Sequence, residues 1–330
     1  MRRAEARAIA EVLSAGRRAA LVTHVNADGD GVGSEVALWH ALAARGVRAA
    51  IANPTPVPER FGFLFEGIGP ADKSSAAAKY LEGADVIIVV DISDLSRLGH
   101  LGTLVGARDV PVICIDHHVS QGALPEGPRM VDATACATGE LVYDLFRALK
   151  WEITPAIATS LYVAILTDTG GFRFSNTTAR TLHVAGELVD HGVDPEEIYS
   201  RVYASNPEGR IRLLTEVLET LVVEHDTGLA WVTIPNGALE RHGLRSEHLE
   251  GVVELPRSIE GVRLALQFRR IANGRIKISF RSVGAVDAAG LAERFGGGGH
   301  RKAAGASLEG SLAEVQAVVI RAAREALIGG

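Results

Sequence analysis

The sequence predicts an α/β protein: a mostly parallel sheet with helices on both faces, followed by a smaller α/β domain at the C-terminal end. Three observations carry this. Short apolar runs such as Val86-Ile87-Ile88-Val89-Val90 alternate with segments of helical periodicity through Asp168, the pattern of strands joined by crossover helices. Beyond Ser205-Asn206-Pro207 the texture changes to paired alternating strands with a hairpin signal. The length of 330 residues, 47% of them hydrophobic, leaves room for two cores.

In chain order, residues 4–15 read as an amphipathic helix with Ile9, Val12 and Leu13 on its apolar face. Residues 19–23 are a short buried strand, and residues 34–45 a helix that Gly46 stops. Residues 47–52 form the next strand, a proline-rich loop covers 53–58, and Phe61, Phe63, Leu64 and Phe65 read as core packing. Residues 86–90 and 110–115 are buried strands, 156–167 a helix, and 178–191 and 195–204 helices closing the first domain. Residues 208–223 read as one further helix connecting the domains, so the expected division is 1–205, 206–225 and 226–330. Residues 229–234 and 262–271 are strands, Asn273-Gly274 a hairpin turn and 275–282 the return strand. A short helix over 287–295, a glycine run over 296–299 and an amphipathic helix over 312–327 complete the chain.

Composition excludes several classes. A formal charge of −6 argues against a protein that coats long nucleic acid through a broad basic surface, so anion binding must be local. Two cysteines, Cys114 and Cys136, offer no disulfide framework and fit a reducing cytoplasm. Glu5, Arg7 and Glu11 break up any signal-peptide core, and no apolar run reaches the length of a membrane helix. A soluble, cytoplasmic protein without membrane contact is expected.

Chemistry concentrates where apolar runs end. Residues 23–34, Thr-His-Val-Asn-Ala-Asp-Gly-Asp-Gly-Val-Gly-Ser, put one imidazole and two carboxylates between a strand and a helix, with Gly29 expected to bend the loop so that Asp28 and Asp30 face different ions. Similar endings recur: residues 86–90 finish in Asp91, residues 110–115 in Asp116-His117-His118, and the helix over 156–167 in Asp168-Thr169-Gly170-Gly171. Four such endings in one chain point to a single site. Imidazole and carboxylate without thiolate suit Mn2+ best, with Mg2+ or Co2+ as alternatives. No G-x-S-x-G elbow or Walker loop is present.

The ordered segments HVNADGD, VVDISD, DHH and TDTGGFRFSNTT resemble the four signature motifs of the DHH phosphoesterase superfamily, and FGGGGHRKAAG resembles the glycine-rich motif of its DHHA1 substrate domain. Within it, FRFSNTT and FRS followed by GGGGH are most similar to the branch of bifunctional oligoribonucleases and 3′-phosphoadenosine 5′-phosphate (pAp) phosphatases. The resemblance implies two divalent metal ions, one held by His24, Asp28 and Asp91, the other by Asp30, Asp91, His117 and Asp168. It makes Asp91 the bridging catalytic carboxylate and assigns His118 to substrate phosphate or leaving group, with orientation of His117 as its alternative role. Asp116 is a supporting residue, and Arg173 has the fork geometry for a phosphate clamp or is a solvated arginine. In the second domain it implies a phosphate grip by Arg281 and an anion cradle from Gly297, Gly298, Gly299, His300 and Arg301, whose backbone N–H groups and positive side chains suit phosphate. The active site is then expected in the interdomain cleft. Short RNA oligonucleotides (nanoRNA) and pAp are the implied substrates.

Rivals within the same fold are a phosphodiesterase for cyclic di-AMP or linear pApA, a manganese pyrophosphatase and a processive single-strand exonuclease. From a different class, a non-catalytic nucleotide-binding regulator would show eroded ligand positions. Dimers occur in related proteins, and a homodimer is compatible with the sequence.

Overall fold

Five short apolar segments assemble into one parallel sheet: β1 (Arg18–Val22), β2 (Arg48–Ile51), β3 (Val86–Val90), β4 (Val112–Asp116) and β5 (Arg129–Val131), in the order β2-β1-β3-β4-β5. This is a computed structural model, and it describes residues 3–13, 17–68, 74–92, 94–118, 126–271 and 274–328. Every residue of β3 and β4 is buried, because both sheet faces are covered and alternation is lost. Val86, Ile88 and Val90 enter one core and Ile87 and Val89 the other, the period-two consequence of the pleat.

The first core lies under α1 (Arg3–Val12), α2 (Gly29–Ala43), α5 (Thr138–Leu149) and α6 (Pro155–Asp168); the second lies under α3 (Ser74–Gly83) and α4 (His100–Gly106). α7 (Ala179–Asp190) starts at a Thr178–Thr181 capping box, and α8 (Pro195–Tyr199) runs into a π-helical turn over Ser200–Ala204. Phe61 is fully buried within the 3₁₀ helix Glu59–Phe65, and Phe63 and Phe65 pack against the same core. The expected first helix over 4–15 is α1, which ends at Val12, residues 14 and 15 lying outside the described part.

α2 begins five residues earlier than periodicity indicates, at Gly29 rather than residue 34, and Asp28 is its N-cap. The expected glycine bend is therefore absent. Those glycines serve close approach instead: a Cβ at Gly29 would lie 2.5 Å from Thr167 Oγ1, at Gly31 2.4 Å from Thr23 Oγ1, and at Gly33 2.3 Å from the Ser160 carbonyl oxygen. Thr167 and Ser160 belong to α6, so Gly29 and Gly33, one helical step of four apart, let the two helices approach closely, Gly29 against the Thr167 side chain and Gly33 against the α6 backbone.

Residues 206–330 form the second compact unit, after residues 1–205. It contains α9 (Glu208–Leu218), β6 (Val222–Glu224), β7 (Leu229–Thr233), α10 (Ala238–Arg241), α11 (Glu254–Arg257), β8 (Leu264–Arg270), β9 (Ile276–Ser282), α12 (Ala288–Glu293), β10 (Gly298–His300), β11 (Ala303–Leu308) and α13 (Leu312–Ile328). The strands form one sheet in the order β10-β11-β9-β8-β7-β6. Alternate residues Leu264, Leu266, Phe268 and Ile276, Ile278, Phe280 pack with Val315, Val319 and Ala323 of α13.

Three expectations change here. The helix over 208–223 stops at Leu218, because Val222 and Val223 pair antiparallel with β7 in a hairpin closed at Gly228 (φ 70°). α9 packs within the second unit through Leu213 and Val217. The glycine run enters an antiparallel hairpin, with Gly298 opposite Gly305 and His300 opposite Ala303. Of the hairpin turn, Gly274 has φ 78° and Asn273 lies outside the described residues.

Candidate metal centre

The strand order reverses around β1, which has β2 on one side and β3 on the other. At such a point the connections leave in opposite directions and open a crevice at the carboxyl ends of the strands. His24 lies just beyond β1, Asp91 directly beyond β3, and His117 and His118 directly beyond β4. Asp28 and Asp30 come from the start of α2, and Asp168 is the last residue of α6.

The side chains converge in three groups: His24, Asp28 and Asp91; Asp30, His117 and Asp168; and Asp91, His117 and His118, with the potential ligand atoms of each within 4.8 Å of one another. His24 Nε2 is 3.3 Å from Asp91 Oδ2 and 3.8 Å from Asp28 Oδ1. His117 Nε2 is almost equidistant from three carboxylates, 3.6 Å from Asp30 Oδ2, 3.7 Å from Asp91 Oδ1 and 3.6 Å from Asp168 Oδ2. Both sequence-derived ligand sets are thus brought together, with Asp91 facing both imidazoles. His118 also joins the cluster: its Nδ1 is 2.7 Å from Asp116 Oδ1 and 3.5 Å from Asp91 Oδ1.

The arrangement fits divalent cations. Buried His24 Nε2 has no aligned hydrogen-bond partner, although its other nitrogen lies 2.9 Å from the Val25 carbonyl oxygen. Ligand atoms bound at about 2.1 Å to one ion are at most about 4.2 Å apart, and the separations of His24 Nε2 and His117 Nε2 from the carboxylates satisfy this. The electrostatics agree. Burial, followed by the charges of Asp91, Asp168 and Asp28, pushes the Asp30 carboxyl well above its usual range. Burial also drives Asp168 up to about 7, against the pull of His117. Burial works against ionised Asp91 as well, but the imidazoles of His24, His118 and His117 hold its carboxyl below the usual range. The His24 ring, opposed by burial but flanked by Asp28 and Asp91, is raised to about 10. Positive charge is favoured where these carboxylates meet.

Supporting contacts fix the directions. Asp28 accepts from the backbone N–H groups of Asp30 (3.1 Å) and Gly31 (3.2 Å), which is ordinary helix capping. Three further residues have no place in the ligand pattern of the sequence. Asn176 Nδ2 lies 3.2 Å from Asp168 Oδ2 and 2.9 Å from the Cys136 carbonyl oxygen; its FRFSNTT segment was the available cue. Arg97 Nη1 lies 3.4 Å from His118 Nε2, a few residues beyond VVDISD. Thr138 bonds both Asp30 and Asp91, and no local cue marks it.

The other candidates are held by contacts within their own units. Arg173 is exposed in the loop after α6 and donates from Nε to the Gly170 carbonyl oxygen at 2.6 Å. In the second unit Arg281, on β9, donates from Nε to Glu254 Oε1 at 3.0 Å. Gly297 is required by packing, since a Cβ there would lie 2.1 Å from the Gly305 carbonyl oxygen; Gly299 has φ 143°, and Gly298 faces open space. Arg301 donates to the Ala285 carbonyl oxygen at 3.3 Å, while the side chain of His300 lies outside the described part.

The family model for the DHH family, N-terminal domain, matches residues 18–165, and that for the DHHA1 domain matches residues 229–327. The chain belongs to the DHH family. It is 36% identical to the bifunctional oligoribonuclease and PAP phosphatase NrnA of Thermus thermophilus, over 97% of this chain and 94% of that one. The protein of the same description from Bacillus subtilis is 30% identical, over 86% of this chain and 87% of its own length. A crystal structure of an exopolyphosphatase-related protein from Bacteroides fragilis superposes with a TM-score of 0.88 at 27% identity, covering 99% of this chain and 96% of that one.

Proposed function

We propose that the chain is a metal-dependent phosphoesterase that hydrolyses short oligoribonucleotides and converts pAp to AMP. The observation that carries the reading is the convergence of His24, Asp28, Asp30, Asp91, His117 and Asp168 at the sheet's switch point. The near full-length similarity to relatives described as oligoribonuclease and PAP phosphatase supports the choice of substrates.

In this reading His24, Asp28 and Asp91 hold one cation and Asp30, Asp91, His117 and Asp168 the other. Two divalent ions, Mn2+ in our reading with Mg2+ or Co2+ as alternatives, would supply the charge that activates water and neutralises phosphoryl oxygens. The chain's own residues then orient and protonate. Asp116, as a carboxylate, only accepts, so its bond to His118 places a proton on Nδ1. That contact also favours the doubly protonated ring, opposing burial, and raises the His118 pKa. Arg97 can only donate, so in this arrangement Nε2 accepts from it and the guanidinium charge works against a second ring proton. Once the guanidinium turns to a substrate phosphate oxygen, Nε2 would be free to carry the proton given to the leaving oxygen. We assign the far phosphate or base of the nucleotide to Arg281, Gly297, Gly298, Gly299, His300 and Arg301. A reducing cytoplasm suits Cys114 and Cys136, which are buried and free. Among the described residues no helix is long and apolar enough to cross a membrane.

The test is an activity panel of pAp, short RNAs, pApA, cyclic di-AMP and pyrophosphate, run with Mn2+ and with Mg2+. The highest kcat/KM is expected for pAp and short RNA. A clear preference for pyrophosphate or cyclic di-AMP would move the protein to another branch, and no turnover on any of them would make it a binding protein.

A further inference from the structure

α5 starts among buried groups without a capping side chain of its own. Its N-cap position is Ala137, which has no side-chain oxygen. Thr138 through Phe146 are buried, so the first N–H groups of the helix cannot turn to water and need partners from the protein. Asp30 provides them from 108 residues away: Oδ2 accepts the Thr138 N–H at 2.7 Å and Oδ1 accepts the Gly139 N–H at 2.9 Å. The Thr138 hydroxyl turns to a second carboxylate and donates to Asp91 Oδ1 at 3.1 Å. Thr138 itself is 0% exposed, so no water competes for that hydroxyl.

Asp91 is a demanding residue to aim. Its φ is 58°, in the left-handed region, and its N–H donates to the Ile115 carbonyl oxygen at 3.0 Å. That contact anchors the backbone only. Imidazoles lie at both sides, His24 3.3 Å from Oδ2 and His117 3.7 Å from Oδ1, so a single orientation of the carboxylate has to serve both. The hydroxyl of Thr138 holds that orientation by bonding Oδ1, the oxygen that faces His117.

We propose that Thr138 is a positioning residue of the metal centre, aiming Asp30 through its backbone N–H and Asp91 through its hydroxyl. One residue at the start of α5 thereby sets ligands that come from two separate segments. The inference rests on the reading of the cluster as a metal centre. Removing the hydroxyl frees the Asp91 carboxylate to turn, while the capping of α5 by Asp30 persists because the backbone N–H remains.

The experiment compares wild type, Thr138→Val and Thr138→Ser, each stripped of metal. Val keeps the shape and the N–H and loses only the donor; Ser returns the donor without the methyl. Melting curves are recorded on the metal-free proteins, and Mn2+ is then titrated into each by calorimetry. Ligand-orienting partners typically change metal affinity 10–100-fold, so the Val variant is expected to bind Mn2+ about 10–100-fold more weakly, with affinity recovered in the Ser variant. A purely structural role would lower the melting temperature yet leave the affinity of the folded protein unchanged, and that result overturns the proposal. A wild type that takes up no Mn2+ defeats the metal-centre reading itself, a separate outcome. Should the Val variant not fold, Thr138→Ala carries the same expectation.

Discussion

At the scale of single residues, the centre depends on charge held in unusual backbone. Asp91 combines a left-handed φ of 58° with a position between the two ligand groups. Asn tolerates that conformation about as well as Asp, so Asp91→Asn removes charge while keeping shape and fold. Because Asp91 is proposed to serve both ions, its loss should exceed the roughly 10–100-fold typical of residues that only orient a ligand. Hydrolysis of pAp at saturating Mn2+ is therefore expected to fall by more than about 100-fold, with an unchanged circular dichroism spectrum. Near-normal turnover in the Asn variant would sink the two-ion assignment.

At the scale of elements, helix contact sets the ligand spacing, and glycine sets helix contact. A methyl at Gly33 would lie 2.3 Å from a backbone oxygen of α6, which cannot swing aside as a side chain can. Gly33→Ala should therefore destabilise the protein by about 1–3 kcal/mol, the usual cost of overpacking. Gly186, on α7 with nothing within 4 Å of its missing Cβ, is the control: Gly186→Ala should stabilise by about 0.4–1 kcal/mol through the unfolded chain. Thermal melts of the two variants decide it, and equal shifts would show that the α2–α6 contact is looser than the backbone indicates.

The same glycines explain where sequence reading stopped. β3 was legible to the residue because Val86 to Val90 are uniformly apolar, and α7 because Thr178 announces its start. The first turn of α2 was hidden, since Gly29, Gly31 and Gly33 lower helix propensity and only contact with α6 and Thr23 overrides it. β11 was hidden because Ala303 to Leu308 has weak strand preference and is held by pairing with β9. The residues that cluster were legible, His24, Asp91, His117 and Asp168 at or just beyond the ends of apolar runs and Asp28 and Asp30 in the segment that follows the first of them. Thr138 was not, because the carboxylate that caps its helix stands 108 residues earlier.

At the scale of the whole molecule, charge decides which nucleic acids gain affinity. A long strand binds by adding phosphate contacts along a basic track, each of which releases counterions. This chain carries a net −6, and many of its cations are already matched: Arg18 faces Asp85, Arg201 Glu197, Arg212 Glu208, Arg241 Glu216, Arg275 Glu309 and Arg294 Glu325. Such exposed pairs add little stability, but they leave these arginines partly neutralised towards a passing phosphate. Affinity must then come from a few local contacts at the metal centre and at the proposed anion-binding hairpin of the second unit. Local contacts of this kind are used up by a few phosphates, so added nucleotides bring little further binding. RNAs of a few nucleotides, and pAp, are expected to be processed well, while long single strands are poor substrates. The check is kcat/KM for RNAs of increasing length at fixed salt, repeated at higher salt. Efficiency that climbs steadily with length and falls steeply with salt would reveal a basic track and make the protein a general exonuclease; a flat or falling profile with weak salt dependence fits a nucleotide-scale phosphoesterase.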